Sequence, residues 1–169
     1  MQITIREAQP SDAEQLIAYV QRLSEEPDIN IPLAPGEFNL TVEQERDFLA
    51  DYTASDNSIF LVAEVGSQIV GTLNCKGGKR QATRHAATLG ISVSKGWRNQ
   101  GIGSTLMARA IKWAKNTQII TRIELIVYAR NEVAIHLYKK FGFEVEGRRR
   151  RTIYQYGEYL DDLIMALLL

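Results

Sequence analysis

The residues of this chain best suited to chemistry gather at the start of one helix. Arg98-Asn99-Gln100-Gly101-Ile102-Gly103-Ser104 joins a set of turn residues to an apolar-striped run that continues to Trp113. A glycine inside a helix costs about 1 kcal/mol relative to alanine, so two glycines one residue apart at a first turn need a reason. One reason is a bound phosphate. The first turn of a helix carries unpaired backbone N–H groups and a partial positive charge, and glycines let an anion approach them. Arg98 would add a guanidinium fork suited to phosphate oxygens. The other reason is a tight turn whose glycines only allow close helix packing, and the spacing alone is compatible with both. Nucleotide motifs fit less well. A P-loop needs a lysine after its last glycine, whereas Gly103 is followed by Ser104-Thr105, and a dinucleotide fingerprint needs a third glycine where Leu106 stands.

A second pair is Asn131 and Tyr138, seven residues apart and therefore about two helical turns from one another on one side of a helix. Tyr138 reads as a core aromatic or as a phenol that donates a proton or hydrogen bond. Asn131 reads as a helix N-cap, a ligand contact, or both. A third group is charged. Arg148-Arg149-Arg150-Arg151, placed on a strand, would put Arg148 and Arg150 on one face and Arg149 and Arg151 on the other. The run reads as a charged edge that discourages aggregation, or as an anionic docking surface that the loop with Lys76, Lys79, Arg80, Arg84 and His85 could join. Glu158, Asp161 and Asp162 offer the opposite, a cationic partner. Cys75 lies in an apolar run and reads as packed rather than reactive. Two histidines without spaced carboxylates imply no metal site.

The elements that must position these residues follow from periodicity. Ile3 and Ile5 mark a short strand, and Pro10 to Leu23 a helix, with Ser11 and Glu14 spaced as a capping box. After a Pro-rich loop, Thr41 and Gln44 form a second capping box before an apolar stripe of Phe48, Leu49 and Tyr52. SIFLVAEV (58–65) and QIVGTLNC (68–75) read as a hairpin around Gly66-Ser67, and AATLGISV (86–93) as a further strand. A helix spans Gly101 to Lys115. IELIVYA (123–129) is nearly continuous in apolar residues, which predicts a central strand buried on both faces. A helix over Asn131 to Phe141 and two strands around Tyr156-Gly157 complete the order β-α-α-β-β-β-α-β-α-β-β. This is a mixed α/β arrangement read as one domain over residues 1–169.

Composition bounds the function. The chain has 20 Lys+Arg against 20 Asp+Glu, so no net field draws it to nucleic acid or a membrane. The single cysteine excludes an internal disulfide. No apolar run approaches the roughly 20 residues of a membrane span, and the first residues lack the apolar core of a signal peptide. A cytoplasmic location is expected.

LGISVSKGWRNQGIGSTLM followed by IELIVYARNEVAIHLYKKFGFEVEGR resembles the core of the GCN5-related N-acetyltransferase superfamily, and residues 143–167 resemble the ends of members close to the ribosomal-protein acetyltransferases. The resemblance covers residues 86–147 closely and 2–75 by element order. It implies a mostly antiparallel central sheet with splayed middle strands, flanked by helices, and acetyl-CoA as cosubstrate, with no metal. It also implies roles residue by residue. Ile91, Ser92 and Val93 would offer backbone groups to the pantetheine arm. Arg98, Asn99, Gln100, Gly101, Ile102 and Gly103 would clamp the pyrophosphate, with Ser104 at its edge. Asn131 would lie near the thioester, and Tyr138 beside the sulfur as general acid, its phenol (~10) lying above a typical thiol (~8.5). The segment 27–40 and its neighbouring helices would form part of the acceptor groove. The implied reaction is acetyl transfer to a primary amine, on a protein N-terminus or a small molecule, by direct attack in a ternary complex. A coenzyme-binding sensor without catalysis is the alternative. Nucleic acid is expected only through a ribosomal substrate, and a homodimer is compatible with the reading.

One departure bears on the acceptor. Many relatives carry a glutamate base in the strand before the Asn, at the position of Ile126; Glu124 is two residues away and takes over no role. A lysine-type amine (~10.4) lies about 3.4 units from neutrality at pH 7, near 4.6 kcal/mol, whereas an α-amine (~7.7–8.0) lies about one unit away. The absent base therefore leans toward an α-amine.

Overall fold

In the computed structural model, residues 2–169 are described. Seven strands form one sheet in the order β1-β2-β3-β4-β5-β7-β6. They are β1 (Ile3–Glu7), β2 (Ser58–Val65), β3 (Gln68–Gly77), β4 (Ala86–Val93), β5 (Arg122–Tyr128), β6 (Glu144–Gln155) and β7 (Glu158–Leu168). Every neighbouring pair is antiparallel except β4 and β5. The helices are α1 (Ala13–Ser24), α2 (Val42–Thr53), α3 (Ile102–Thr117) and α4 (Glu132–Lys140).

The element order agrees with the periodicities, and the sheet divides two cores. On one face, Leu16, Tyr19 and Leu23 of α1 and Leu49 of α2 pack on Val62 and Ile69. On the other, Ile102, Leu106, Met107 and Ala110 of α3 and Tyr138 of α4 pack on Leu73, Leu89, Ile123 and Leu125.

The parallel pair is the feature that makes a site. β4 and β5 meet only at Ala86↔Arg122, Ala87↔Ile123 and Thr88↔Glu124. Beyond Thr88 they diverge, and both strands keep their other partners, β3 and β7. The expected splay is therefore present. The expectation that β5 is buried on both faces is not met. Its odd-numbered side chains are buried, but Ile126 is 54% exposed, because α1 and α2 pack over β2 and β3 and leave that face of β5 open. Glu124, on the same face, is held by Arg122 at 2.9 Å.

The start of α1 also differs. A 3-10 turn over Pro10–Asp12 precedes it, and the capping box forms on Gln9 and Asp12, the Asp12 carboxylate accepting the Gln9 N–H at 2.8 Å, rather than on Ser11 and Glu14. Arg6 holds Asp12 in that place with two bonds of 2.8 and 2.9 Å. The Thr41–Gln44 capping box forms as spaced.

The Arg6 guanidinium keeps the buried Asp12 carboxyl below its ordinary value. A depressed carboxylate adds stability above its unfolded value, ~3.9, and loses it as pH falls through the folded value. Asp12→Asn is expected to lower unfolding free energy by about 1–2 kcal/mol at neutral pH, a figure discounted for the third of the Arg6 side chain that stays in water. It should also flatten the loss of stability below about pH 4. Denaturant melts of both proteins at neutral and acid pH measure this; identical acid profiles would remove Asp12 from the acid response.

The arginine run departs from simple alternation. A bulge between Arg149 and Ile153 breaks the β6–β7 register, and Arg151 has φ +55. Arg148 and Arg149 both reach acids on β7: Arg148 binds Asp161 at 2.8 Å, and Arg149 binds Asp162 at 2.8 and 2.6 Å. Glu158 pairs with Arg130 at 2.8 Å. The acids therefore offer no free cationic site. The basic loop between β3 and β4 lies at the Ala86/Arg122 end of the sheet, whereas Arg149 lies level with Asp162 and Tyr128 at the other end, so the two do not join.

Candidate active site

Four pieces converge at the divergence of β4 and β5. The first is the exposed edge of β4. The Ser94 N–H donates to the Val70 carbonyl at 2.9 Å. Alternation along the antiparallel ladder then turns the backbone groups of Gly90 and Ser92 toward β3, and those of Leu89, Ile91 and Val93 toward the gap. Ile91 and Val93 thus stand where expected. Ser92 does not share that direction. Its backbone faces β3, and its hydroxyl bonds Tyr19 at 2.9 Å and Thr72 at 3.0 Å. Burial pushes the Tyr19 hydroxyl up to about 12, so it stays protonated.

The second piece is the turn into α3. Asn99 and Gly101 both have positive φ, +60 and +81. The first helical bond runs from the Thr105 N–H to the Gly101 carbonyl, at 3.0 Å. Among the described residues, nothing accepts the backbone N–H groups of Asn99, Gln100, Gly101, Ile102, Gly103 or Ser104. A run of unpaired amides in alternating left- and right-handed backbone at a helix N-terminus is an anion cradle. The two glycines answer to different needs. A Cβ on Gly101 would meet nothing within 4 Å, so that position keeps its left-handed turn and an open approach. A Cβ on Gly103 would lie 3.3 Å from Leu137 Cδ2, so that position brings α3 close to α4. The packing reading applies to Gly103, and the space beside Gly101 is left open to a ligand.

Arg98 is not a free cation. Its Nε donates to the Val93 carbonyl at 2.8 Å, and its guanidinium pairs with Glu26, whose carboxylate also accepts the Lys95 N–H at 2.8 Å. Glu26, just past the end of α1, thereby anchors the loop that leads into α3. Nothing in the sequence marked it, since 72 residues separate it from Arg98.

The third piece is α4. Asn131 caps it, its Oδ1 accepting the Ala134 N–H at 3.3 Å, which leaves the side-chain NH2 free to donate. Tyr138 is 6% exposed and packs with Phe143 at 5.9 Å between ring centroids. Burial pushes its hydroxyl up to about 12. That hydroxyl has no hydrogen-bond partner among the described residues, and no side-chain oxygen or nitrogen there is both unpartnered and sealed from solvent. The ring is therefore buried while its oxygen keeps contact with solvent.

The fourth piece is a strap. Residues 29–31 cross to the β6–β7 hairpin. Ile29 O accepts from Tyr156 Oη at 3.0 Å, Ile31 O from Gln155 Nε2 at 3.1 Å, and Asn30 Oδ1 from Arg130 Nε at 3.2 Å. Gln155 also accepts from Tyr128 Oη at 2.9 Å. The strap walls the open face of β5 that carries Ile126. Cys75 is fully buried, its thiol pushed up to about 12 by burial, and takes no part.

Comparisons with known proteins agree with this fold. The model of the acetyltransferase (GNAT) family matches residues 25–143. An acetyltransferase of that family from Streptococcus pneumoniae is 38% identical, covers 99% of both chains and superposes with a TM-score of 0.95. A ribosomal-protein-alanine N-acetyltransferase from Brucella melitensis is 26% identical over 98% of this chain and 99% of its own, with a TM-score of 0.83. An L-amino acid N-acetyltransferase of Escherichia coli is 40% identical over 106 residues, which span 63% of this chain and 65% of that protein, just under two thirds of its length. Among the described residues no helix is long and apolar enough to cross a membrane.

Proposed function

We propose, from the premise that this chain belongs to the acetyltransferase (GNAT) family, that it transfers the acetyl group of acetyl-CoA to an α-amine, on a free amino acid or a peptide N-terminus. The observation that carries the reading is the meeting of the unpaired β4 edge, the row of free N–H groups from Asn99 to Ser104 and the open Tyr138 hydroxyl at one divergence of the sheet.

The pyrophosphate sits on the amides of the α3 turn, and the pantetheine arm pairs with the Ile91 and Val93 backbone. The Val93 N–H polarises the acetyl carbonyl as negative charge develops on its oxygen. The amine attacks the carbonyl carbon directly, the C–S bond breaks, and the electron pair stays on sulfur. Tyr138 stabilises that sulfur by a hydrogen bond. Burial pushes the phenol up to about 12, well above a thiol of ~8.5, so outright transfer of its proton is uphill by roughly 5 kcal/mol. Its contribution is therefore donation to the developing thiolate, a narrower role than a full general acid.

Two facts favour an α-amine. Ile126 supplies no base on the exposed face of β5, and an α-amine needs the least help to become neutral. Two of the relatives, by their names, act on an amino acid and on a ribosomal-protein alanine. The test is calorimetric titration with acetyl-CoA, followed by thiol release over free amino acids, peptides with free N-termini, N-blocked lysine peptides and polyamines. Release with the first two classes is expected. Release only with lysine side chains or polyamines would overturn the α-amine assignment, and coenzyme binding with no release would overturn the transferase.

A further inference from the structure

We infer that Arg149 of β6 holds a carboxylate of the acceptor, which makes that acceptor a free α-amino acid rather than a peptide N-terminus; the assignment rests on the transferase reading above. The strand registers build the place for it. β4 and β5 pair for the last time at Thr88↔Glu124, so Ile126 and Tyr128 are the next β5 residues on the Glu124 face. Ile126 stands opposite Ile164 of β7, and Tyr128 opposite Asp162. Arg149 is the β6 partner of Asp162 and shares its face, since the two side chains bond. Beyond the divergence, the open face is therefore a short trough, with the exposed Ile126 and the half-buried Ile164 as its floor.

The two ends of the trough differ in charge. At the end where β4 and β5 still pair, Arg122 bridges two glutamates, Glu124 at 2.9 Å and Glu146 at 2.6 Å, which leaves a negative excess. At the other end one arginine meets one aspartate. Asp162 is 2% exposed, and Arg149 reaches it side-on, Nε to Oδ1 at 2.8 Å and Nη2 to Oδ2 at 2.6 Å. These bonds use one edge of the guanidinium fork. Among the described residues nothing accepts from Nη1, and the Arg149 side chain is 44% exposed. The buried carboxylate thus fixes the fork by one edge and leaves the outer edge free, in the geometry that binds a second carboxylate through two parallel bonds. The other arginine near this end, Arg130, is committed to Asn30 and Glu158.

The amine and carboxylate of an α-amino acid sit on one carbon, so both fit within the about 6–7 Å between successive residues on one face of a strand. With the carboxylate on Arg149, the amine lies beside the parting strands, level with Ile126 and Tyr128, and an apolar side chain rests on Ile126 and Ile164. The glutamates at the paired end disfavour the reverse orientation, which would bring the carboxylate to them. A peptide N-terminus carries a neutral amide where the free amino acid carries a carboxylate, and so gives the outer edge of Arg149 only a weaker, uncharged acceptor.

The test compares leucine, valine and phenylalanine, each with its own carboxamide, by thiol release at one pH. Acid and amide differ in amine basicity by the same amount for every variant, so the quantity read is the ratio of kcat/KM, acid over amide, in variant against parent. Arg149→Lys keeps a cation beside the buried Asp162, but an ammonium has no planar fork with a second edge. The expected result is a ratio about 10- to 100-fold below the parent's, the size of a lost hydrogen bond to a charged group, with acetyl-CoA Kd and thermal midpoint unchanged. Arg149→Gln combined with Asp162→Asn, which removes both charges together, should show the same fall. Arg148→Lys should leave the ratio as it is, since Arg148 pairs with Leu163 in the register and binds Asp161 on the opposite face. A ratio within about threefold of the parent's in both Arg149 variants would overturn the assignment, and so would a parent that acetylates peptide N-termini and no free amino acid. A parent that binds acetyl-CoA and acetylates no amine would instead overturn the transferase reading, and the role of Arg149 with it.

Discussion

Tyr138→Phe is expected to lower kcat by about 10²–10³, the effect of removing one preorganised donor from a developing anion, while acetyl-CoA affinity stays within about twofold. The split follows from the geometry. The ring belongs to the core between α4 and Phe143, and phenylalanine keeps all of that packing. Only the oxygen reaches solvent, and it supports no other protein group. Burial pushes the hydroxyl up to about 12, so the parent's pH–rate profile should show no tyrosine limb in the neutral range, and the variant's profile should have the same shape at a lower level. Steady-state kinetics with one good amine, together with calorimetry of acetyl-CoA, measures both. Unchanged turnover would mean that sulfur departs without help from this side chain. A large loss of coenzyme affinity would mean that the ring, rather than the hydroxyl, carries the effect.

Gly101→Trp is expected to abolish acetyl-CoA binding in a protein that still folds. The position has φ +81, which costs a residue with a Cβ about 1–2 kcal/mol, a tolerable fraction of a typical domain's stability. The space beside it is empty of protein, so the indole has nothing to clash with except what binds over the free N–H groups. Gly101→Ala separates the two effects, because it brings the same backbone strain with a far smaller obstruction. Thermal unfolding with and without coenzyme is the direct readout. At 100 times Kd the parent gains about 2.7 kcal/mol; the tryptophan variant should gain none, and the alanine variant most of it. A tryptophan variant with the parent's gain would move the pyrophosphate away from the α3 turn.

These two experiments probe the parts of the site that were most legible. The Arg98–Ser104 turn was visible because two glycines at a helix start contradict helix propensity, and Asn131 and Tyr138 because their spacing matches the helical repeat. Neighbouring features were legible only in part. Arg98 reads as a free cation until Glu26, 72 residues away, is seen to hold it. Ser92 reads as one of three equivalent strand residues until its ladder partner on β3 shows that its backbone faces away from the gap. The arginine run reads as strict alternation until the bulge and the buried Asp162 redirect it.

The chain by itself determined the order of elements, the capping box at Thr41, the glycine turn into α3 and the family resemblance, because these rest on local periodicity and on residues close together in sequence. Only the tertiary structure decided where β4 and β5 part, which face of β5 stays open and which charges are already paired. Each of these is a contact, or the lack of one, between segments distant along the chain, and the free energy that settles it comes from packing and charge pairing that no local window of sequence contains.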